Sequence, residues 1–123
     1  MEQISKKTLV IGASENPDRY SNKAIRMLQN FGHEVVAIGV KNGKVEDVEF
    51  GKEHLPFENI DTVTLYINPK LQVDYYQYIL SLKPRRIIFN PGTENDDFAG
   101  LALLKGIEPV EACTLVLLST HQY

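Results

Sequence analysis

The sequence predicts an α/β fold in which helices cover both faces of a parallel sheet. Short apolar runs rich in branched side chains alternate with amphipathic segments of helical period along all 123 residues. Strands separated by helices of this length require right-handed crossovers, which place the helices on the two faces of the sheet. The length fits one domain, so we expect residues 1–123 to form a single unit.

Five apolar segments predict the strands of this sheet. Each is short, largely apolar and bounded by polar or glycine-containing turns, as expected for strands buried on both faces. The five segments are residues 8–13, 33–40, 60–68, 85–90 and 107–112. A sixth apolar segment, TLVLLS at residues 114–119, is too short for its periodicity to distinguish a helix from a strand.

Three intervening segments have the periodicity of helices packed on a sheet. The first spans residues 21–31 and places Ala24, Ile25, Leu28 and Phe31 on one face. The second begins at Asn68-Pro69, a pair that suits the cap and first turn of a helix, and ends near Pro84. Its buried face is expected to consist of Val73, Tyr76, Ile79 and Leu80.

The third predicted helix begins at residues 93–96, where TEND resembles a capping box, and Gly106 ends it. Its buried face is expected to consist of Phe98, Leu101, Ala102 and either Leu103 or Leu104. The connection over residues 41–59 is polar and contains two glycines. This composition predicts a loop with at most one short helix.

Together these elements predict a single Rossmann-like, doubly wound domain with its five strands in the order 3-2-1-4-5. In such sheets, ligands bind outside the carboxyl ends of the strands, where the strand order reverses. That point is expected between the first and fourth strands. Small residues, amides and two cations gather there: Gly12, Ser14, Asn16, Arg19, Lys41, Asn68, Asn90, Gly92 and Thr93.

The loop after the first strand is the leading candidate for a ligand site. It reads GASENPDRYS over residues 12–21, which is longer than the roughly 2–6 residues of a plain βα loop. The helix that follows offers free backbone N–H groups and the positive end of its dipole to an anion. Gly12 permits a tight turn, and Ser14 adds a hydroxyl donor. A βα turn without any ligand is the alternative interpretation.

The same loop argues against NAD(P) as the ligand. The dinucleotide fingerprint requires several glycines at fixed offsets, and this loop supplies only Gly12. It also requires an acid at the end of the second strand, where this chain has Gly39, Val40 and Lys41 and no acid before Glu46. Lys41 favours an additional phosphate, or is an ordinary surface lysine.

Composition narrows the classes of partner. The formal net charge is −3 and no basic stripe is present, which argues against a dedicated nucleic-acid binder. No apolar run approaches the roughly 18 residues of a membrane span, and the polar start MEQISKK is unlike a signal peptide. We therefore expect a cytoplasmic protein. Cys113 is the only cysteine, so neither a disulfide nor a cysteine-based metal site is expected.

The segment VIGASENPDRYSNKAIRMLQNFGHEVVAI resembles the opening of the small stand-alone CoA-binding proteins, relatives of the N-terminal domain of the succinyl-CoA ligase α-subunit. In that family a Gly-Ala-Ser loop, with a following Pro and often an Arg, leads into the first helix. The segment RRIIFNPGTENDDFAGLALLKGIEPVEACTLV is similar to the family as well, and the likeness runs over residues 7–117. The resemblance implies a Rossmann-like domain that binds coenzyme A, with no established catalytic activity in most members.

The resemblance also assigns a CoA-contacting role to individual positions around the expected crevice. These positions are Gly12, Ala13, Ser14, Arg19, Ser21, Gly39, Val40, Lys41, Asn68, Pro69, Asn90, Pro91, Gly92 and Thr93. The chain departs from the family after the second strand, where members usually read Val-Asn-Pro or similar and this chain reads VKNG. That departure falls on the adenosine side of the pocket and leaves the diphosphate side unchanged.

No set of residues fits a catalytic centre. His33, His54 and His121 each lack an obvious acidic partner, and surface or capping roles account for them. Asp96 and Asp97 lie at a helix start, where the helix dipole favours carboxylates.

Cys113 and three tyrosines leave further interpretations open. Cys113 follows the fifth strand and could form a mixed disulfide with the CoA thiol, or pack as a small apolar residue. Tyr76 is expected to face inward, whereas Tyr75 and Tyr78 could form a partner surface or pack in the ordinary way.

The sequence therefore predicts a protein that binds coenzyme A or an acyl-CoA and has no evident catalytic centre. One alternative is a protein-interaction module that keeps the fold without a nucleotide ligand, for which the unusual segment IGVKNGKVEDVEFG is the support. A second alternative is an NAD(P)-binding protein.

Overall fold

The computed structural model describes residues 4–123, which form a five-stranded parallel sheet covered by helices. The strands are β1 (Thr8–Ala13), β2 (Val35–Gly39), β3 (Gly43–Val45), β4 (Val48–Phe50), β5 (Thr62–Leu65), β6 (Arg86–Phe89) and β7 (Glu108–Glu111). The helices are α1 (Tyr20–Asn30), α2 (Pro69–Gln72), α3 (Tyr76–Leu82), α4 (Asp96–Leu104) and α5 (Thr114–Ser119), with a 3₁₀ turn at Val73–Tyr75. The predicted α/β class and parallel sheet are confirmed. None of the helices within residues 4–123 has both the length and the apolar character to cross a membrane.

The core consists of two apolar clusters, one on each face of the sheet. Successive side chains of a strand point to opposite faces, so Leu9 of β1 packs in the cluster that contains Phe98 of α4. Val10, the next residue, packs in the cluster that contains Ile25 of α1 and Leu118 of α5. All five side chains are at most 1% exposed. The sheet is therefore covered on both faces, as the alternation of strands and helices predicts.

The strand order is β2-β1-β5-β6-β7, which corrects the predicted order 3-2-1-4-5. The third of the five predicted strands, β5, lies beside the first strand instead of at the edge of the sheet. All four residues of β5 are fully buried. A strand of this kind is suited to the interior of a sheet, where both of its backbone edges are paired. The point at which the strand order reverses consequently lies between β1 and β5, not between the first and fourth strands.

The predicted loop of residues 41–59 contains the antiparallel hairpin β3–β4, which corrects that prediction. The hairpin forms because Val45 and Phe50 are buried, at 1% and 8% exposure, in the core cluster on the α1 face. The Gly39 N–H donates a hydrogen bond to the Gly51 carbonyl at 3.0 Å. The hairpin segment therefore covers part of the free edge of β2, which would otherwise present unpaired backbone groups.

The predicted helix between Asn68 and Pro84 is divided into α2 and α3 by the 3₁₀ turn. Ile79 and Leu80 are buried as predicted, and Tyr76 stacks on the ring of Phe98 with centroids 4.4 Å apart. Val73 is 57% exposed, contrary to the prediction, because the change of helical pitch rotates it out of the apolar face.

Helix α4 is capped by Asn95, whose side chain accepts a hydrogen bond from the Phe98 N–H at 3.1 Å. The predicted capping box is wrong because Thr93 turns inward and donates to the Asn90 carbonyl at 2.8 Å. Phe98 and Ala102, four residues apart, face the sheet, which directs the neighbouring leucines outward. The exposed leucines, which were predicted core residues, are Leu101, Leu103 and Leu104.

At the amino-terminal edge of the sheet, the guanidinium of Arg86 is buried beneath the ring of Tyr123. Its central carbon lies 4.4 Å from the ring centroid, a cation–π arrangement that stabilises a desolvated cation. The Arg86 Nε donates to Thr62 Oγ1 at 2.8 Å. Its Nη2 is buried and has no hydrogen-bond partner within residues 4–123.

His33 completes this cluster at the amino-terminal edge. Its Nδ1 accepts a hydrogen bond from the Lys6 backbone N–H at 2.9 Å, and its ring lies 4.9 Å from the ring of Tyr123. Burial lowers the pKa of His33, and the charges of Lys6 and Arg86 lower it further against the opposing effect of Asp61. The fold therefore favours the neutral imidazole.

Candidate functional site

Gly12 begins the turn at the carboxyl end of β1 and lies where the strand order reverses. Its φ is +96°, a conformation that residues with a Cβ rarely adopt. A Cβ at this position would lie 2.8 Å from the Tyr66 carbonyl oxygen and 3.0 Å from Ile67 Cγ2. Glycine is therefore required both by the backbone angle and by the close approach of the chain that follows β5. Ala13, next in the turn, is buried.

The end of β2 lies against the same turn. Ala13 pairs with Gly39 across the β1–β2 ladder, and a Cβ at Gly39 would lie 2.8 Å from the Ala13 carbonyl oxygen. Immediately after this contact, Val40 is 67% exposed and Lys41 is exposed. The structure thus places a free cation and an exposed apolar side chain beside the turn.

The loop from Ser14 to Arg19 is ordered by its own short hydrogen bonds. Ser14 Oγ accepts from the Asn16 N–H at 3.1 Å, and Asn16 Oδ1 accepts from the Asp18 N–H at 2.9 Å. Arg19 occupies the N-cap position of α1 with an exposed side chain that makes no cap hydrogen bond. The Asn22 N–H already donates to the Arg19 carbonyl at 3.1 Å. The first turn of α1 contains no acidic residue, so the N–H groups that precede Asn22 and the helix dipole favour an anion.

Ser21 occupies a different environment from the one its position in the sequence indicated. It lies in the first turn of α1 and is only 3% exposed, so its hydroxyl points into the protein.

Asn68 and Pro69 follow β5 on the other side of the turn. Asn68 is the N-cap of α2, and its side chain accepts from the Leu71 N–H at 3.1 Å, which confirms the predicted cap. Pro69 occupies the first helical position. Asn68 is exposed at the edge of the sheet, but its side-chain oxygen is already engaged by the helix.

The segment after β6 divides into a buried support and an exposed tip. Asn90 is 2% exposed, and its side chain binds Thr64 Oγ1 at 2.6 Å and the Thr114 N–H at 2.8 Å. Thr93 is buried and is bonded through its hydroxyl to the Asn90 carbonyl. Pro91 and Gly92 are exposed, and Gly92 has a φ of +91° with open space around it. The Gly92 N–H already donates to Glu94 Oε1 at 2.9 Å, so the tip offers backbone carbonyls.

A buried polar network beneath this edge was not predicted from the sequence. Thr64 and Thr114 hydroxyls lie 2.8 Å apart, and Asn90 bridges the two residues. The Tyr66 hydroxyl is buried nearby without a hydrogen-bond partner within residues 4–123, and burial raises the pKa of Tyr66. The alternation of Thr62 and Thr64 with apolar residues in β5 was the available signal, because polar side chains in a buried strand require partners.

Cys113 and the three histidines lie in separate parts of the structure. Cys113 is partly exposed at the N-cap of α5. His33 lies at the opposite edge of the sheet from the Gly12 turn. The His54 ring packs in tilted orientation against the rings of Tyr75 and Tyr78, with centroid distances of 4.5 Å and 4.6 Å.

His121 lies after α5, with its ring centroid 6.0 Å from that of Phe31. Asp96 and Asp97 occupy the first turn of α4, where the helix dipole accounts for them. In the part of the chain from residue 4 onward, no three His, Cys, Asp or Glu side chains are close enough to hold a metal ion.

With this geometry established, comparison with known proteins identifies the family. The sequence profile of the CoA binding domain matches residues 6–119. The chain belongs to the CoA-binding domain family. The predicted resemblance is therefore confirmed, and family membership indicates an association with coenzyme A at this general level.

Solved structures agree with the fold. An uncharacterized protein of known crystal structure is 47% identical, has a TM-score of 0.95, and is matched over 98% of this chain and 100% of its own. A hypothetical protein from Pyrococcus horikoshii OT3 is 24% identical with a TM-score of 0.83, over 91% of this chain and 80% of its own.

A protein from Thermus thermophilus is 20% identical with a TM-score of 0.84, over 97% of this chain and 91% of its own. The latter two similarities, at low identity, concern the fold alone. A comparison with curated proteins found no match.

Proposed function

We propose that this protein binds coenzyme A or an acyl-CoA with the diphosphate on the Gly12–Ser14 turn and the first turn of α1. The observation that carries the proposal is the Gly12 backbone, which is held at positive φ and so close to the chain after β5 that a Cβ would lie 2.8 Å from the Tyr66 carbonyl oxygen. This arrangement directs the turn toward an uncapped helix N-terminus without acidic residues. Such a helix start attracts phosphate groups.

Two exposed cations supply charge on either side of the turn. Lys41 follows β2 and Arg19 precedes α1, and both side chains are free to reach a phosphate. Val40, exposed beside Lys41, provides an apolar surface for an adenine ring. The exposed Pro91–Gly92 tip lines the opposite side of the crevice, where its backbone carbonyls can accept hydrogen bonds from the amides of the pantetheine arm. Three of the residues in this region are buried and do not contact the ligand; they keep the neighbouring backbone in place. These are Asn90, Thr93 and Ser21.

Calorimetric titration with CoA, acetyl-CoA, NAD⁺ and NADP⁺ in parallel tests this function. We expect CoA or its acetyl ester to bind with a micromolar dissociation constant and the nicotinamide nucleotides not to bind. Ser14→Asp and Lys41→Glu should each weaken CoA binding by at least about tenfold, because each places negative charge beside a phosphate. Lys105→Glu is the matched control, since Lys105 is an exposed lysine between α4 and β7 at the opposite edge of the sheet. Unchanged affinity in both site variants would reject the proposed location.

A protein-interaction module is the second candidate, and the apolar surface of α4 favours it. Leu103 and Leu104 are 64% and 83% exposed, which is unusual for adjacent leucines on a protein without a partner. If none of the four nucleotides binds and the mass in solution depends on concentration, Leu104→Glu should abolish that dependence. This pair of results would favour the interaction module over a CoA-binding protein.

A further inference from the structure

The β3–β4 hairpin contacts the proposed diphosphate turn directly. The Lys44 backbone N–H donates a hydrogen bond to Glu15 Oε2 at 3.0 Å. A Cβ at Gly43 would lie 2.7 Å from Glu15 Cγ and 2.7 Å from the Phe50 ring. The Glu15 side chain, although exposed, therefore lies against the hairpin, and Gly43 leaves the space that it occupies.

A second route joins the hairpin to the same turn through α1. The Ser14 carbonyl accepts a hydrogen bond from Asn22 Nδ2 at 2.9 Å, and Asn22 Oδ1 accepts one from Arg26 Nε at 2.8 Å. The Arg26 guanidinium forms an ion pair with Glu46 at the tip of the hairpin. Asn22 is 1% exposed, so the part of this connection nearest the turn is buried, whereas the Arg26–Glu46 pair lies at the surface with side chains 45% and 55% exposed.

We propose that the β3–β4 hairpin is a positioning element of the ligand site, which holds the Gly12–Glu15 turn through these two routes. The proposal rests on the proposed function, because it specifies how the diphosphate turn is kept ready for CoA. One route holds the Glu15 side chain and the other holds the Ser14 carbonyl. The two residues joined by the Ser14–Glu15 peptide bond are therefore both constrained. A turn ordered before binding loses less conformational entropy when the ligand arrives.

The hairpin also restrains the position of the Glu15 carboxylate. A carboxylate that rotated freely beside a diphosphate would repel it. The Lys44 N–H and the packing against Gly43 fix this carboxylate on the hairpin side of the loop. Glu15 is a positioning residue in this arrangement and does not contact the ligand.

Comparison of Glu15→Ala with Glu15→Gln tests the direct route at equal charge. Both variants lack the carboxylate, but only the glutamine oxygen can still accept the Lys44 hydrogen bond. We expect Glu15→Ala to bind CoA at least about fivefold more weakly than Glu15→Gln, the effect of roughly one hydrogen bond. Glu15→Gln should bind CoA at least as tightly as the wild type. Equal affinities of the two variants would overturn the proposal.

Arg26→Ala tests the route through α1, and Gln29→Ala is its matched control. Gln29 also joins α1 to the hairpin, through a hydrogen bond to Asp47 Oδ1 at 2.5 Å, but it has no connection to Ser14. We expect faster amide exchange over residues 13–18, and weaker CoA binding, in Arg26→Ala but not in Gln29→Ala, and the exchange measurement does not depend on the charge that Arg26 presents to CoA. The same loss in both variants would indicate a general effect of the hairpin on stability and would contradict the proposal.

Hydrogen exchange of the free protein separates this inference from the proposed function. Amides of residues 13–18 should exchange faster in Glu15→Ala than in Glu15→Gln, whether or not CoA binds. If wild-type protein fails to bind CoA, the proposed function is wrong, and the exchange difference alone decides whether the hairpin holds the turn. Equal exchange rates in the two variants would refute the positioning role.

Discussion

The two edges of the sheet both gather cations but place them in opposite environments. At the carboxyl edge, Arg19 and Lys41 extend into solvent beside the Gly12 turn. At the amino edge, Arg86 is only 6% exposed and lies under the Tyr123 ring. Positive charge is therefore accessible to a ligand at the carboxyl edge, whereas at the amino edge it is buried in contacts within the protein.

The construction of the two edges explains this difference. The carboxyl edge is built around Gly12 and Gly39, where a Cβ would lie 2.8 Å from the carbonyl oxygens of Tyr66 and Ala13 respectively. The amino edge is built by side chains, with Tyr123 packed between His33 and Arg86. A buried guanidinium requires such contacts because its desolvation is costly. Changes at the two edges should consequently separate ligand binding from stability.

The largest effect is expected from Gly12→Ala, which adds one carbon at the carboxyl edge. The added Cβ would contact the Tyr66 carbonyl oxygen at 2.8 Å and would hold a residue with a side chain at positive φ. We expect a loss of about 3 kcal/mol in the free energy of unfolding from strain and overpacking, together with loss of CoA binding. Urea denaturation and calorimetry measure the two quantities.

Gly100→Ala is the control for this variant. Gly100 lies within α4, has no positive φ, and has nothing within 4 Å of its added Cβ. Alanine there should leave CoA binding unchanged and stabilise the protein by up to about 1 kcal/mol. Equal stability losses in the two variants would contradict the backbone explanation.

An intermediate effect is expected from Tyr123→Ala at the amino edge. This substitution removes the ring that covers Arg86 and the hydroxyl that lies 2.6 Å from Thr8 Oγ1. We expect a loss of about 2 kcal/mol in stability and an unchanged affinity for CoA below the unfolding transition. Tyr123→Phe, which retains the ring, should lose only about 1 kcal/mol. A weakened CoA affinity in Tyr123→Ala would contradict the expectation that changes at the amino edge affect stability without affecting ligand binding.

The smallest effect concerns the pH dependence contributed by His33. Because the pKa of His33 is lowered from 6.5 in the folded protein, the unfolded chain binds the proton first. The stabilising contribution is therefore present above pH 6.5 and is lost as the pH falls toward the lowered value. We expect wild-type stability to fall more than that of His33→Gln over this interval, by less than about 1 kcal/mol. Parallel unfolding curves at pH 7.5 and 5.5, chosen as roughly one unit to either side, measure the difference.

The titration of Asp61 sets the lowest pH at which this test reports on His33. Burial raises its pKa, but hydrogen bonds from Thr62 and Arg85 outweigh that effect and lower it below 3.8. Its contribution to stability is therefore present above pH 3.8 and is lost only at more acidic pH. An identical pH dependence for wild type and His33→Gln above pH 5 would show that the imidazole does not contribute.

Local patterns were sufficient to predict much of the fold and the glycine turn at the end of β1. The cap at Asn68 and the core residues Ile25 and Leu28 follow from the spacing of side chains within a few positions. The Gly12 loop is recognisable for the same reason, because its glycine, its polar residues and the helix behind it are consecutive. Such features depend on short-range sterics and hydrogen bonding, which the sequence records directly.

Other features depend on residues that are far apart in the chain. The sequence did not predict the position of β5, the β3–β4 hairpin or the outward-facing leucines of α4, because each depends on which surfaces pack together. The capping box failed since Thr93 found a buried partner in Asn90. The contact of Tyr123 with Arg86 joins residues that are far apart in the chain, and no local pattern predicts it.

The sequence by itself thus determined the fold class, the family and the turn at which we propose that phosphate binds, all of which depend on consecutive residues. The tertiary structure alone decided the strand order, and it assigned the cations to two different environments. It also brought the hairpin to Glu15, 29 positions before Lys44. Packing makes these choices because the free energy of burying an apolar or charged group depends on every element that surrounds it.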